Sequence, residues 1–578
     1  MRFDLFLSKA KEPKGVRRVL SVLRPTWAAS PVRRIAQTVC LILFLTLFFY
    51  VCWPYGPVHE QGSTWPLRHA ELFLLLDPLA SLSAALAARV WLWSLVAAAV
   101  VLVIGIILPR GFCGYVCPLG TLIDVFDWAV GRRVGRFRLT RSGWWINLRY
   151  YILAVTLSAA ACGVLLSGFV AAIAVVTRAM LFIFAPGQMG LLKGWYLVPP
   201  MNAGHYVSIV LFLAVLGLGL LRPRFWCAYV CPTGALLSLG SFLRLTERKV
   251  ETTCVECGRC LSVCSFDAVG PDYSTRPLNC TFCQTCGGVC PSHSIRFAGR
   301  WDSGSLKAAS EPAGARPSFS RRGFLFGAVG AFGGGAAAGA ALARERGGYA
   351  ESFPIRPPGS VPEQSFRRLC VRCGECFKVC PNNVLQPAGF ELGLDGLWTP
   401  KVVPDWAGCR VSCNNCGQVC PTGAIRPLPI EEKRAARIGL AAVNKKTCLP
   451  HAHREDCRLC VDECAAAGYN AIEFIRVGGA LDDKGVPVEG SGYLAPVVLE
   501  DKCIGCGLCQ TSCYSVNVKG KKLLDESAIA VSAGPGKEDR ISSGSYRDLR
   551  AERLGRTKQP QPPQPSASDD AYLPDFLR

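Results

Sequence analysis

Cysteines in tightly spaced runs most constrain the fold of this chain, because each run must wrap around a group that binds thiolates. The chain has 31 cysteines in 578 residues, and its first two runs are Cys254, Cys257, Cys260, Cys264 and Cys280, Cys283, Cys286, Cys290. In this spacing three thiolates cap three irons of a 4Fe–4S cube, and the fourth cysteine reaches a second cube. We therefore expect Cys290 to complete the first cluster and Cys264 to complete the second.

Four further runs fill the C-terminal part of the chain. They are Cys370, Cys373, Cys376, Cys380; Cys409, Cys413, Cys416, Cys420; Cys448, Cys457, Cys460, Cys464; and Cys503, Cys506, Cys509, Cys513. The third run has a long first gap containing His451 and His453, either of which could replace a thiolate, although a surface loop is their expected role. The spacing leaves open whether the runs pair sequentially or with the outer runs together. Zinc is disfavoured because it usually takes two CxxC pairs.

Four apolar stretches in the first half are long enough to cross a bilayer. They cover residues 36–53, 90–108, 149–168 and 205–221. Loops rich in Lys and Arg alternate with loops poor in them, which by the positive-inside rule places both ends of the four-span unit in the cytoplasm. Segments 70–88 and 170–185 are also apolar, but Asp77-Pro78 and Arg178 interrupt them. We interpret both as interfacial or re-entrant pieces on the outer side.

A CxxxCP motif follows the second and the fourth predicted span. Cys113 and Cys117 belong to the first copy, and Cys227 and Cys231 to the second. Two spans separate the copies, so both face the same side, and parallel repeats often place a site at their junction. Three hypotheses remain open for these thiols: one joint four-thiolate metal or iron–sulfur site, two pairs cycling between thiol and disulfide, or a plain helix-end turn.

A twin-arginine export motif lies in the middle of the chain. Ser320-Arg321-Arg322-Gly323-Phe324-Leu325 precedes a Gly/Ala-rich run to about Ala343, where cleavage could occur. Iron–sulfur domains are assembled in the cytoplasm, so they must cross the membrane folded. The alternative is an ordinary fifth span. Both interpretations place residues 350–578 in the periplasm.

Composition excludes several classes of protein. Half of the residues are hydrophobic and only 18% are charged, which disfavours a single soluble enzyme domain and a disordered chain. The formal charge of +22 is also met in nucleic-acid binders. Thiolate-bound clusters are themselves anionic, however, and much of the basic charge flanks apolar stretches. No nucleic-acid partner is therefore expected.

Together these features predict an α-helical membrane domain, with four spans plus a fifth signal-anchor span, and α+β bacterial-type ferredoxin domains on both sides. The localisation expected is the bacterial inner (cytoplasmic) membrane, multi-pass, with 246–300 cytoplasmic. The predicted units are a cytoplasmic segment 1–35, a four-span domain 36–245, a two-cluster ferredoxin 246–300, a linker 301–319, the signal or fifth span 320–345, a four-cluster ferredoxin 350–533 and a disordered tail 534–578.

The arrangement resembles two known families joined in one chain. The spans with two CxxxCP motifs and a two-cluster ferredoxin look like the NapH and MauN membrane ferredoxins. The export motif with four cluster motifs looks like the NapG and MauM periplasmic ferredoxins. The resemblance implies oxidation of membrane quinol and delivery of electrons to a periplasmic cytochrome or reductase, as in nitrate-reductase systems. The alternatives are a redox-linked metal reductase, a regulatory or maturation ferredoxin, and a structural anchor for a partner reductase.

A quinol site needs proton acceptors near the apolar boundary. His69, Glu71, Asp77 and His205 fall at predicted outer membrane edges, as does His59. The alternative role for the histidines is interfacial anchoring. The sequence therefore predicts six clusters held by 24 cysteines, quinol as substrate, the membrane quinone pool as partner, and a candidate extra metal or Fe–S site at the CxxxCP motifs.

Overall fold

The computed structural model describes most of the chain, with several gaps. The described residues are 31–52, 71–131, 133–134, 144–195, 198–301, 306–308, 329–330, 332–337, 339–341, 353–479 and 491–556. The arginine pair of the export motif, His59 and His69 lie outside these residues.

The first half forms a helical module of two structurally similar halves. Its helices are α1 (Pro31–Cys52), α2 (Leu72–Leu75), α3 (Pro78–Ala88), α4 (Ser94–Ile107), α5 (Pro118–Phe126), α6 (Leu148–Ala161), α7 (Ser167–Val170), α8 (Ala172–Lys193), α9 (Ala203–Gly217) and α10 (Pro232–Gly240). Each half runs through one helix, a short helix, two further helices and a five-residue π-helical turn that carries the CxxxCP motif. A nine-residue helix follows each turn, and proline at its first position suits a helix start.

Three helices in the described residues are long and apolar enough to cross a membrane: Pro31–Phe49, Ala172–Leu191 and Ala203–Leu220. Two predicted spans, 90–108 and 149–168, correspond to the shorter helices α4 and α6, each of 14 residues. At about 1.5 Å per residue, each covers only about 21 Å. The four-plus-one span count thus stays a prediction.

Most of segment 170–185, interpreted above as an interfacial or re-entrant piece, lies in the 22-residue helix α8, which is long and apolar enough to cross a membrane. Arg178 does not break this helix, because protein atoms accept hydrogen bonds from its Nε and Nη1. It donates hydrogen bonds to Ser208 Oγ (3.0 Å), Gly168 O (3.1 Å) and Arg372 O (2.7 Å). Segment 70–88, by contrast, does break at Asp77, between α2 and α3.

The N-terminal ferredoxin module follows the helical module directly. Its elements are β1 (Thr246–Glu251), α11 (Arg259–Val263), α12 (Thr285–Gly288), β2 (Ile295–Gly299) and β3 (Leu306–Ala308). β1 is the central strand of the sheet β2-β1-β3 and pairs antiparallel with both neighbours. The cysteine runs lie between β1 and β2. Because these two strands pair, they bring the ends of the cysteine-containing segment together.

The C-terminal ferredoxin module (353–556) has four cysteine runs on short helices and three two-stranded antiparallel sheets, β4-β5, β6-β9 and β7-β8. Its elements are α13 (Glu363–Leu369), α14 (Glu375–Lys378), β4 (Leu385–Pro387), α15 (Gly393–Gly396), β5 (Pro400–Val402), α16 (Asn415–Gln418), α17 (Ile430–Ala435), β6 (Leu440–Val443), α18 (Leu459–Ala466), β7 (Ile472–Val477), β8 (Tyr493–Val498), α19 (Leu508–Cys513), β9 (Ile529–Ser532) and α20 (Tyr546–Arg556).

The predicted disordered tail, 534–578, is wrong for residues 534–556. Helix α20 packs on α17, and Tyr546 is fully buried beside Leu428. Glu432 fixes the start of α20 by accepting hydrogen bonds from Ser545 Oγ and from the Tyr546 backbone N–H, both at 2.7 Å. One buried aromatic and one capping carboxylate thus order a segment whose composition is polar. Residues 557–578 lie outside the described part.

The two ferredoxin modules dock on opposite ends of the helical module. At the start of α9, Gly204 O accepts a hydrogen bond from Trp398 Nε1 of the C-terminal module at 2.7 Å. Just beyond the end of the same helix, Arg222 Nη2 donates to Asp267 Oδ1 of the N-terminal module at 2.7 Å. We call these contacts the C-terminal seam and the N-terminal seam.

Candidate metal centres and pockets

The cysteines of the N-terminal module form two groups with exchanged fourth members. Cage 1 is a space of about 330 Å³ lined by Cys254, Cys257, Cys260 and Cys290. Cage 2 consists of Cys280, Cys283, Cys286 and Cys264, which lie within electrostatic range of one another. This is the crossed arrangement expected from the spacing.

The C-terminal module contains four more groups. Cage 3 (Cys370, Cys373, Cys376, Cys420) and cage 5 (Cys448, Cys457, Cys460, Cys513) each line one space, of about 380 and 350 Å³. Cage 4 (Cys409, Cys413, Cys416, Cys380) and cage 6 (Cys503, Cys506, Cys509, Cys464) are grouped by electrostatic proximity. The fourth cysteine is therefore exchanged between neighbouring runs, so the runs pair sequentially.

The cages suit a multi-iron cluster better than a single ion. The three enclosed spaces are close in volume, and every described cysteine is a free thiol. Backbone N–H groups donate to cage sulfurs, for example Ala268 to Cys264 Sγ at 3.2 Å and Ala471 to Cys464 Sγ at 3.2 Å. Within the described ranges, no group of three or more His, Cys, Asp or Glu is spaced for one metal ion. In a cubane cluster, by contrast, each thiolate binds its own iron.

Neither histidine in the gap of the third run lines cage 5. His451 Nε2 lies 3.0 Å from Pro496 O, and the ring of His453 stacks on Tyr493 at a centroid distance of 5.8 Å. Their expected role as loop residues therefore fits the geometry better than ligation does.

The cages of the C-terminal module follow one another away from the C-terminal seam. Cage 3 is beside the seam, where Arg372 donates a hydrogen bond to Leu165 O of the helical module. Cages 3 and 4 exchange ligands, as do cages 5 and 6. The backbone N–H of Cys409 in cage 4 donates to Cys506 O in cage 6 at 2.7 Å. The order along the module is therefore cage 3, cage 4, cage 6, cage 5.

The two CxxxCP motifs are held together by a reciprocal pair of buried arginines. Arg110 Nη2 of the first copy donates to Cys227 O of the second at 2.9 Å, and Arg224 Nη1 of the second donates to Cys113 O of the first at 3.3 Å. Both arginines have positive φ, 51° and 54°. A Cβ at Gly234 would lie 3.1 Å from Arg110 Nη2, so a larger residue there would crowd the guanidinium.

This junction brings all four CxxxCP cysteines into one region, which we call the thiol site. Cys117 lies within electrostatic range of Cys113, Cys227 and Cys231. The N-terminal module covers it closely: Tyr115 Oη, inside the first motif, donates to Phe282 O of the cage 2 run at 2.6 Å. The thiol site and cage 2 are therefore direct neighbours.

The prediction that Asp77 lies with the other quinol candidates at the outer edge is wrong. Asp77 is fully buried beside the thiol site, where Oδ1 accepts hydrogen bonds from Thr233 Oγ1 and from the Leu79 backbone N–H, both at 3.1 Å. It caps the start of α3, and this helix carries the chain back from the interior towards the C-terminal module. An Asp-Pro pair occurs both at the start of a buried helix and in a loop at a membrane interface. The sequence alone therefore did not distinguish these two placements of Asp77.

Sequence reasoning missed a charged network at the N-terminal seam. Asp124 Oδ2 accepts from Arg33 Nη2 at 2.7 Å, from Arg224 Nη2 at 2.6 Å and from Gln37 Nε2 at 3.1 Å. A polar pocket of about 550 Å³, mouth included, opens here among Arg33, Arg34, Asp124 and Asp127. The sequence signal that could have indicated this network is Asp124 itself, an acidic residue within an apolar helix next to a CxxxCP motif.

The C-terminal seam holds a larger and mainly apolar pocket, which we call the seam pocket. Its empty volume, mouth included, is about 700 Å³. The residues around it come from α8, the start of α9 and the C-terminal module: Leu181, Phe182, Ala185, Pro186, Gln188, Met189, Pro199, Met201, His205, Phe377, Lys378, Asn383, Leu385, Gln386 and Pro387. Of the quinol candidates within the described residues, His205 lines it, whereas Glu71 and Asp77 do not.

Glu71 lies near this end of the molecule but does not line the seam pocket. Burial, and then the nearby Glu375 carboxylate, raise the pKa of Glu71 to about 7. Its Oε2 is buried and has no hydrogen-bond partner among the described residues.

Comparison with known proteins follows this division of the molecule. The 4Fe-4S binding domain family Fer4_5 matches residues 90–136 and 204–249, which are the two CxxxCP repeats, and the 4Fe-4S dicluster domain family Fer4_7 matches 369–424. The ferredoxin-type protein NapG of Escherichia coli is 33% identical over 34% of this chain and 83% of its own length. The methylamine utilization ferredoxin-type protein MauM of Methylorubrum extorquens is 35% identical over 34% of this chain and 84% of its own.

A third relative covers more of the chain. The ferredoxin-type protein NapH of Haemophilus influenzae is 28% identical over 47% of this chain and 89% of its own length. No solved structure matches the chain significantly. The chain belongs to the NapG and MauM family of ferredoxin-type iron–sulfur electron-transfer proteins, and it joins a part of this type to a NapH-type part.

Proposed function

We propose that this protein oxidises quinol in the bacterial inner membrane and passes the electrons to a periplasmic cytochrome or reductase. The supporting observation is the order of the cages. Cage 3 lies against the helical module, and cages 4, 6 and 5 lead from it towards the far end of the C-terminal module. A linear array that starts at membrane helices suits electron transfer out of the membrane.

The 24 cage cysteines would hold six 4Fe–4S clusters, or about 24 iron atoms per chain. When bound, such clusters accept and release single electrons. The thiol site could hold a further Fe–S centre, or cycle between thiols and a disulfide. Both hypotheses use four cysteines that the fold places together.

The test of this function uses the purified full-length protein in phospholipid vesicles. Adding a short-tailed quinol anaerobically should bleach the visible absorption of the clusters, and a periplasmic-type cytochrome added outside should restore it. Dithionite provides the control, because it reduces clusters without a quinol site. Clusters that dithionite bleaches but quinol does not would contradict quinol oxidation.

The topology proposed is multi-pass, with residues 246–300 in the cytoplasm and 350–578 in the periplasm. Helical residues near 335 pack on α6, where a Cβ on Gly335 would contact Val155 and Ser158. A fifth span or a retained signal helix would pack in this way. Changing Arg321 and Arg322 to Lys should leave the C-terminal module inside, protected from protease added to the periplasm. Unchanged protease accessibility would contradict the twin-arginine route.

A further inference from the structure

We infer that the seam pocket binds the quinol head group, with His205 as proton acceptor and Gln386 as hydrogen-bond donor; this assignment rests on the proposed function. The seam pocket has the chemistry that a quinol requires. It presents apolar walls for the ring and a few polar groups that can hydrogen-bond the two oxygens.

One residue borders both the seam pocket and cage 3. Phe377 lines both spaces, and it directly follows Cys376 of cage 3 in sequence. The seam pocket is therefore a direct neighbour of the first cage of the C-terminal array. None of the other four pockets described places an apolar space between a candidate span and a cage in this way.

Gln386 offers an unused hydrogen-bond donor. The residue is 6% exposed, and its Nε2 has no partner among the described residues. A buried amide donor without a partner is costly, because it has lost its hydrogen bonds to water. An oxygen of a bound quinol or quinone would accept this hydrogen bond and remove that cost.

His205 is oriented by the residue that caps α9. Its Nδ1 lies 2.9 Å from Asn202 Oδ1 and 3.1 Å from the Asn202 backbone N. Asn202 can therefore accept from a protonated Nδ1 through Oδ1, or donate to an unprotonated Nδ1 through its N–H. In the first tautomer Nε2 carries a lone pair, and none of the described residues hydrogen-bonds this atom.

The seam pocket lies beside an exposed apolar part of α8. Ala185 and Pro186 line the pocket, whereas Ile183 and Phe184 of the same helix are exposed. α8 is one of the three helices long enough to cross a membrane. An isoprenoid tail can thus run along this helix while the head group lies inside.

The reaction balances with these groups. Oxidation of a quinol to a quinone releases two protons and two electrons. His205 Nε2 accepts the protons one at a time and releases each of them to bulk solvent. The two electrons would pass one at a time to oxidised clusters held by cages 3 and 4, which would be the oxidant.

The experiment is photoaffinity labelling of the full-length protein in vesicles with an azidoquinone, followed by peptide mapping. Label should appear in peptides containing residues 181–189 or 199–205, and unlabelled quinol should compete with it. Label confined to peptides of the thiol site, in protein that quinol still reduces, would overturn the seam pocket and leave the proposed function standing. Wild-type protein that quinol does not reduce would overturn both.

Variants test the individual residues. His205→Gln should slow quinol-driven bleaching about 100-fold, the scale of a lost general base, with dithionite bleaching unchanged. Gln386→Leu should weaken quinone binding about 10-fold, as expected for one buried hydrogen bond. Ala185→Trp should block labelling by filling the pocket, whereas Leu191→Trp, at an 80% exposed position of the same helix, should not. Normal labelling of Ala185→Trp, or a normal rate for His205→Gln, would overturn the assignment.

Discussion

The two seams of the helical module differ in the pocket that each one holds. Both are crossed by buried arginines that donate to backbone carbonyls, such as Arg110 to Asn279 O at the N-terminal seam and Arg372 to Leu165 O at the C-terminal seam. The pocket at the N-terminal seam is polar. At the C-terminal seam, the pocket is lined mainly by apolar side chains, and Arg178 stacks on Trp398 with its guanidinium carbon 3.6 Å from the ring centroid.

This difference separates two tasks. A seam with charged side chains and a polar pocket fixes a geometry: Arg110 donates both to Cys227 O in the thiol site and to Asn279 O beside cage 2. A seam with an apolar pocket beside a cage leaves room for a membrane-soluble molecule to enter and leave. We therefore expect substrate chemistry at the C-terminal seam and transfer between protein-bound centres at the N-terminal seam.

The largest expected effect is at the N-terminal seam. The double variant Cys113→Ser, Cys227→Ser should abolish reduction of cages 1 and 2 by quinol, because the thiol site adjoins cage 2. The iron bound in the six cages should stay at about 24 atoms. Cys162→Ser, which changes an exposed cysteine of the same helical module, should behave as wild type. Cluster-resolved EPR after quinol addition is the measurement, and normal reduction of all clusters would show that these thiols are not used.

The next prediction distinguishes the cage of the C-terminal module that receives electrons first from the cage that receives them last. Cys420→Ala should cost about four of the 24 irons and stop quinol-driven reduction, because cage 3 is the first cage beside the seam. Cys513→Ala should cost the same amount of iron from cage 5 but leave the other clusters reducible by quinol. Iron analysis with EPR tests both variants. Equal loss of quinol reduction in the two would contradict the order of the cages.

A smaller effect concerns the charge beside cage 3. Arg178 lies within electrostatic range of Cys370 and Cys373, and a positive charge favours the more negative reduced cluster. Arg178→Gln should lower the midpoint potential of this cluster by about 50–100 mV, equivalent to about 1–2 kcal/mol.

Arg178→Lys is the matched control for that change, because it keeps the charge and loses the bidentate geometry. It should restore most of the potential, while both variants lose hydrogen bonds to Gly168 and Arg372. A potentiometric titration separates the cases. Equal shifts in the two variants would assign the effect to packing rather than to charge.

Spacing predicted the part of the site that depends on local geometry. The exchange of Cys264 and Cys290 between two cubes follows from run length, because a run of three close cysteines cannot reach the fourth iron corner. The parallel repeat likewise predicted that the two CxxxCP motifs share one side, and the structure joins them through Arg110 and Arg224. Whether the cysteines bind clusters stays a prediction of their spacing.

Contacts between distant segments could not be predicted in this way. Arg178 was expected to break a helix, but its hydrogen-bond partners Ser208 and Arg372 lie 30 and 194 residues away. Asp77 was placed at the outer edge because Asp-Pro marks loops as well as helix caps. The seam pocket exists only where α8, α9 and the C-terminal module meet, and no local pattern encodes that junction.

The smallest expected effect lies away from both seams, within the C-terminal module. Glu363 accepts hydrogen bonds from Arg356 Nη2 at 2.6 Å, Arg367 Nε at 2.8 Å and Arg540 Nη1 at 2.6 Å. Burial alone would raise the pKa of Glu363, but the nearby guanidiniums outweigh it and lower the pKa from its ordinary 4.5 to about 2. The stabilisation is therefore complete above pH 4.5 and is lost as pH falls towards 2.

Glu363→Gln should accordingly lower the free energy of unfolding by about 2 kcal/mol at pH 7, after allowance for solvent screening of a side chain that is 23% exposed. The difference from wild type should shrink as pH falls from 4.5 towards 3. Glu391→Gln breaks a pair with Lys401 in which Glu391 is 44% exposed, and it should cost less than about 1 kcal/mol. Denaturant unfolding of the full protein, followed by tryptophan fluorescence, measures both. A pH-independent cost at Glu363 would mean that its shape, rather than its charge, holds the module together.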